Sequence, residues 1–184
     1  MLDVTLQFLQ QQLNAALQQQ LASAQPLARL ASLVQPDGQP TAGLGNCLVM
    51  SLLNVERESA APMLPPGYSP AQAAPSLHLN LDMLCTALCA RYEDALRLLS
   101  LTLGFFQAQP LFTADMPGFP PGLGKLSVEL RSLDLNTMNN LWGMLGAKHQ
   151  PAVVFRVRML SLHSGPRQLL PAVSQPAPQV GRQT

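Results

Sequence analysis

Leucines recur along residues 3–24, "DVTLQFLQQQLNAALQQQLASA", at spacings of three and four: Leu6, Leu9, Leu13, Leu17 and Leu21, with glutamines at seven of the positions between them. That spacing predicts an amphipathic helix, with Asp3 placed to cap it. At 76–85, "SLHLNLDMLC", the period changes to two. Leu77, Leu79, Leu81 and Met83 point one way, and Ser76, His78, Asn80 and Asp82 the other, as in a half-buried strand. Residues 46–58 carry a nearly continuous apolar run, which suits a strand covered on both faces, and 27–34 reads as a further strand.

The second half alternates helices and strands. Residues 91–107 place Tyr92, Ala95, Leu96, Leu99, Leu103 and Phe106 on one stripe, predicting a sheet-facing helix. In 125–133, Leu126, Val128 and Leu130 alternate with Ser127, Glu129 and Arg131, another half-exposed strand. A short helix follows, capped by Asp134 or Asn136, packed through Leu141, Trp142 and Leu145, and ended by Gly146. Pro151 then opens a last strand in which Val153, Phe155, Val157 and Met159 share one face and Arg156 and Arg158 the other.

This order implies an α+β fold: a single domain built on a mixed β-sheet with helices packed mainly on one face. The domain spans 1–164, interrupted by a Pro-rich loop at 59–75, and residues 165–184 read as a flexible Pro/Gln-rich tail. There is no internal repeat.

Composition narrows the function. Hydrophobic residues make up 47% of the 184 residues and charged ones only 11%, less than half the usual share, so the surface is unusually neutral and suited to protein partners. A net charge of +1 without a basic block argues against nucleic acid. No apolar run approaches the roughly 20 residues that span a bilayer, no signal-peptide pattern opens the chain, and three cysteines are an odd number, so we expect a cytoplasmic product with reduced thiols and no membrane partner.

Candidate chemistry is thin. A metal site would need to combine His78, Asp82, Cys85, Cys89, His149 and His163, and His78 with Asp82 on one strand face is the only plausible start. Cys85 or Cys89 could pair with His78 for thiolate catalysis, but no third group orients them. The "GLGK" at 122–125 lacks the spacing of a phosphate loop and precedes a strand where that motif requires a helix. The acids are scattered. No enzyme signature and no cofactor is indicated; the alternative reading is a small cytoplasmic thiol- or metal-dependent enzyme.

The stretches "LHLNLDMLCTALCARYEDALRLLSLTLGFFQAQPLFT" and "LSVELRSLDLNTMNNLWGMLGAKHQPAVVFRVRML" resemble the tail-terminator, or cap, proteins of extracellular contractile injection systems, which are phage-tail-like particles. The helix-strand unit around Trp142 is the most specific of the matching motifs. The resemblance implies a non-enzymatic cap at the end distal to the baseplate. Its partners would be itself, as a homohexameric ring, together with the inner-tube protein and the sheath protein, whose polymerisation it would end while joining their last rings. It also implies strand addition at sheet edges, and a particle that can be released from the cell. Within that frame Trp142 and Phe155 are expected in the core. Arg156 and Arg158, lying off it, are candidates for pairing with acids at a subunit or ring interface.

Overall fold

Helix α1 (Leu2–Leu21) forms where the leucine stripe predicts it, and the stripe seats it: Leu6, Leu9, Leu13 and Leu17 are buried while the glutamines ride outside. Asp3 stands inside the first turn, where its carboxylate faces the partial positive charge of the helix N-terminus, and not before the helix as a cap. The structure is a computed structural model that describes residues 2–58 and 77–162; the Pro-rich loop and the C-terminal tail lie outside the described residues.

After α1 come β1 (Ala28–Leu30), β2 (Cys47–Arg57), β3 (Leu77–Leu88), α2 (Tyr92–Ala108), β4 (Leu111–Thr113), β5 (Lys125–Arg131), α3 (Leu135–Leu145) and β6 (Ala152–Leu162). The six strands make one sheet in the order β1-β2-β3-β6-β5-β4. Only β1 and β2 run parallel; every other pair is antiparallel, so the sheet is mixed.

Alternation along the strands divides the hydrophobic interior in two. One sheet face presents Leu48, Met50, Leu81, Met83, Phe155, Val157 and Leu126 to α1 and α2, forming the main core. Phe106 of α2 lies 4.7 Å from Phe155 between ring centroids, and Phe8 of α1 meets Phe112 edge-on at 5.8 Å. Each fully buried Leu or Phe here is worth roughly 1.5–3 kcal/mol of transfer free energy. The opposite face carries a smaller cluster, where Leu141 and Trp142 of α3 cover Cys47, Val49, Leu84 and Val154. Two helices therefore cover one face and the shortest helix part of the other.

Three sequence expectations are corrected. The strand at 27–34 contracts to Ala28–Leu30, because the chain turns away at the Pro/Gly stretch and bridges Val34 to Pro40, with Leu33 tucked into the smaller cluster. What holds β1 comes from α1: the Asn14 side-chain oxygen accepts from the amides of Leu27 (2.7 Å) and Ala28 (3.1 Å), and the Gln10 amide donates to the Ala28 carbonyl. On α2 the buried stripe is Ala95, Leu98, Leu99, Thr102 and Phe106, leaving Tyr92 67% and Leu96 43% exposed. The Thr102 hydroxyl donates to the Leu98 carbonyl at 2.8 Å, which lets a polar residue take a core position. Leu130 at the end of β5 is also exposed, beyond the reach of the helices.

Candidate functional site

On β6, Arg156 and Arg158 necessarily face away from Phe155 and Val157. On β3 the same parity turns Asn80 and Asp82 to that second face, and on β5 it turns Glu129 and Arg131 there. Strict alternation from Cys47 and Val49 along β2 would turn Val55 and Arg57 to it as well. Instead a bulge between Leu52 and Asn54 inserts one residue, Leu53, and reverses the parity, so that Asn54 lies opposite Asp82 and Glu56 opposite Asn80. Four strands thus bring three arginines and four acids onto one patch.

These groups are interlocked. Asp82, 4% exposed, accepts from Arg156 Nε at 3.1 Å and from Arg131. Arg156 also donates to Glu56 at 2.9 Å. Arg158 donates to Glu129 at 3.2 Å and lies 3.7 Å from Glu58, which accepts in turn from the Asn80 amide at 2.8 Å. Burial alone would push the Asp82 carboxyl up, but the hydrogen bonds from Arg156 and Arg131 outweigh it and hold the group below the usual carboxylate range. The hydrogen bond to Asp82 likewise raises Arg156.

The neutral half of this face belongs to α3. Asp134 starts the helix by accepting from the amides of Asn136 (2.9 Å) and Thr137 (3.0 Å) and from the Thr137 hydroxyl (2.7 Å); Gly146 ends it in the left-handed conformation at φ 64°. Trp142 packs beneath it with its ring 5.4 Å from His149. Between α3 and the charged patch runs an open groove of about 500 Å³, with Leu53, Leu133, Met144 and Val154 among its apolar walls and Asp82 and Arg131 at its charged side.

The structure gives Arg156 and Arg158 partners within the chain. Arg156 is committed to Asp82 and Glu56, whereas Arg158 is the more exposed of the two and is held by Glu129 and Glu58. Trp142 is buried in the smaller cluster and Phe155 in the main core. Sequence reasoning missed Arg131, Asp82 and Glu56 as members of one network. The hydrophilic side of the β3 alternation was a signal for Asp82, but nothing in the letters marks the bulge that delivers Glu56.

The residues weighed for thiol or metal chemistry are scattered. Cys85 is wholly buried in the main core, and burial pushes its thiol up, as it does for Cys47 and Cys89, so none is a ready thiolate. His78 and Cys85 sit seven residues apart along β3, about 23 Å at 3.3 Å per residue. Among the described residues no group of three or more His, Cys, Asp or Glu side chains is placed to hold a metal ion; His163 lies outside them. No described helix is long and apolar enough to cross a membrane.

The family described as Pvc16 N-terminal domain matches residues 5–175. Among solved structures, the chain is similar to the PVC sheath/tube terminator, in its extended state, of an extracellular contractile injection system. That likeness has 16% identity and a TM-score of 0.49, covering 94% of this chain and 64% of the other. It is also similar to the tube terminating cap of the anti-feeding prophage, at 16% identity and a TM-score of 0.50, covering 90% of this chain and 60% of the other; the likeness is one of fold. The chain spans about three fifths of the length of these two proteins. No curated protein matches it.

Proposed function

The chain belongs to the Pvc16 N-terminal domain family, and from that membership we propose that it is a structural cap of a contractile, phage-tail-like injection particle. It ends the polymerisation of inner tube and sheath at the end distal to the baseplate and joins their last rings. The observation that carries this reading is the extent of the family match, residues 5–175, which takes in every described element from β1 to β6 and nearly all of α1.

The surface supports it. Seven of the charged side chains are drawn into one largely self-neutralised patch, while α3 carries no charge and α1 none after Asp3. Uncharged helices with exposed Leu135 and Met144, 88% and 71% accessible, suit contact with protein. β1 pairs only with Leu48 to Met50, so the outer edge of β2 from Leu52 onward has no strand beside it among the described residues and offers main-chain groups to an added strand. The partners are further copies of the chain in a homohexameric ring, the inner-tube protein and the sheath protein, with no role for nucleic acid, membrane or catalysis. Assembly takes place in the cytoplasm, into a particle that can be released. At the interface Arg158, the more exposed of the two arginines on β6, is the one that can exchange Glu129 for a partner's acid.

Negative-stain imaging of particles from producing cells, with and without this gene, tests the proposal. Overlong or ragged tubes without the gene, restored when it is returned, support termination. Particles of normal length with intact distal ends rule it out.

A further inference from the structure

The outer strand of a sheet presents unpaired N–H and C=O groups to any strand that can add to it, and this sheet treats its edges unequally. β1 forms one edge. Its orientation follows from its bonds to β2: Leu48 donates to the Leu27 carbonyl at 2.7 Å, and Ala31 donates to the Met50 carbonyl at 3.1 Å. Main-chain groups of successive strand residues point to opposite sides, so Ala28 and Leu30 turn theirs outward.

At Ala28 the outward position is already occupied. The Asn14 side-chain oxygen accepts from the Ala28 amide at 3.1 Å and from Leu27 at 2.7 Å, and the Gln10 side-chain amide donates to the Ala28 carbonyl at 2.7 Å. One acceptor and one donor on the same residue are what a neighbouring strand would supply. Gln10, Asn14 and Gln18 lie four apart and so form one row along α1. The Asn14 amide donates to Gln18 Oε1 at 3.1 Å, which aims its oxygen at β1. Ala28 is only 1% exposed although it belongs to an edge strand.

The other edge is blunted differently. β4 has three residues, and its Thr113 carbonyl accepts from Met116. Past Val128, whose amide donates to Pro110, β5 has no strand beside it for three residues only, Glu129 to Arg131. β2 is the contrast. Glu58 donates inward to the His78 carbonyl at 2.9 Å, so Val55 and Arg57 turn their main-chain groups outward, beyond the stretch that β1 covers.

We infer that Asn14 and Gln10 stand in for a seventh strand: they close the β1 edge to strand addition and confine an added strand to β2 from Leu52 onward. Edge strands are commonly guarded by charged side chains, and in this charge-poor chain uncharged amides do the same by occupying the groups themselves. A side chain satisfies one residue but offers no new edge, so growth stops there. The inference rests on the strand addition proposed above for the role of β2, and not for the closure of β1.

The test uses the purified chain. Gln10→Met with Asn14→Leu keeps the side-chain sizes and bares Ala28, so this double variant should self-associate at least about tenfold more tightly than the wild-type chain, read by sedimentation. Adding Leu30→Pro, which removes an outward N–H that β2 does not use, should abolish the gain. Asn14→Asp retains the accepting oxygen and should behave as wild type. Circular dichroism and thermal melts establish folding; if the double variant does not fold, Gln10→Met alone, which gives up one hydrogen bond, carries the same comparison with Leu30→Pro.

A folded variant that associates no more than wild type overturns the inference, because Asn14 and Gln10 then merely hold β1 in place. A gain that survives Leu30→Pro, or that Asn14→Asp shows equally, also overturns it by locating the contact elsewhere. None of these readouts involves particles, so termination and strand addition at β2 can fail while the closure of β1 stands, and the reverse.

Discussion

Arg156 donates to Glu56 across 2.9 Å, although a hundred residues separate them in sequence and a regular β2 would turn Glu56 away. Leu53 is the extra residue in β2 and has no partner on β3 in the register. Deleting Leu53 should therefore close the bulge and leave Asn54 opposite Asp82 and Glu56 opposite Asn80, so that Glu56 still meets Arg156 in a regular strand. The loss should stay near the ~1 kcal/mol of an ordinary substitution, read as a small fall in urea midpoint. A loss several times larger would mean that the deletion shifts the register and turns Glu56 away from Arg156.

Asp82 is the buried member that two arginines share. Asp82→Asn keeps the shape but removes the charge, and should destabilise the chain by about 3 kcal/mol. Replacing Asp82, Arg131 and Arg156 together by apolar residues of similar volume should recover much of that loss, because most of it arises from leaving cations unpaired. Arg156→Glu should be severe for the same reason, whereas Arg158→Glu, at a more exposed pair, should change stability by less than about 1 kcal/mol. Equal effects from the two reversals would contradict the network described here.

The same carboxyl gives a pH dependence of known sign. Its native pKa lies below the unfolded value near about 3.9, so the folded state binds fewer protons. Its contribution is present in full above about pH 5 and fades as the pH falls through the carboxylate range toward the native pKa. Urea midpoints measured from neutral pH down to about pH 3 should fall, and Asp82→Asn should make that acid limb shallower. An unchanged slope in the variant would remove Asp82 as its source.

Trp142 is the chain's one tryptophan, so its fluorescence reports on α3 alone. Trp142→Ala should cost roughly 3–5 kcal/mol through the cavity it leaves above Leu84 and Val154. Asp134→Ala should cost about 1 kcal/mol by releasing the amides of Asn136 and Thr137. Urea titrations followed by fluorescence and by far-ultraviolet circular dichroism should coincide if α3 unfolds with the sheet. An earlier fluorescence transition would make α3 a separate cooperative unit.

The helices and long strands could be read from the sequence because α1, β3, β5 and β6 each bury a face at a clean period. α2 was read with its stripe displaced because apolar side chains occupy most of its circumference, and packing against Phe155 and Phe112, not the letters, chose which side went inward. β4 escaped notice because three residues carry no period. The opposite placement of α3 followed from its packing partners Leu84 and Val154, which no local pattern declares. The charged patch was half visible, since alternation exposes Arg156 and Arg158 but register alone decides that Asp82 and Glu56 meet them.

β6, the last of the nine described elements in sequence, lies in the sheet between β3 and β5. While the chain is being synthesised, β1-β2-β3 and β4-β5 can form only as separate halves with bare inner edges, and the ion network lacks both of its central arginines. The strand that joins the halves also delivers Phe155 to the core. Folding is therefore dominated by contacts distant in sequence, which makes it slow and leaves sticky edges exposed to neighbouring nascent chains. A ribosome stalled before residue 152 would yield two incomplete sheets and no assembly-competent subunit, so the order of strands delays any copy-to-copy contact until its sheet is complete.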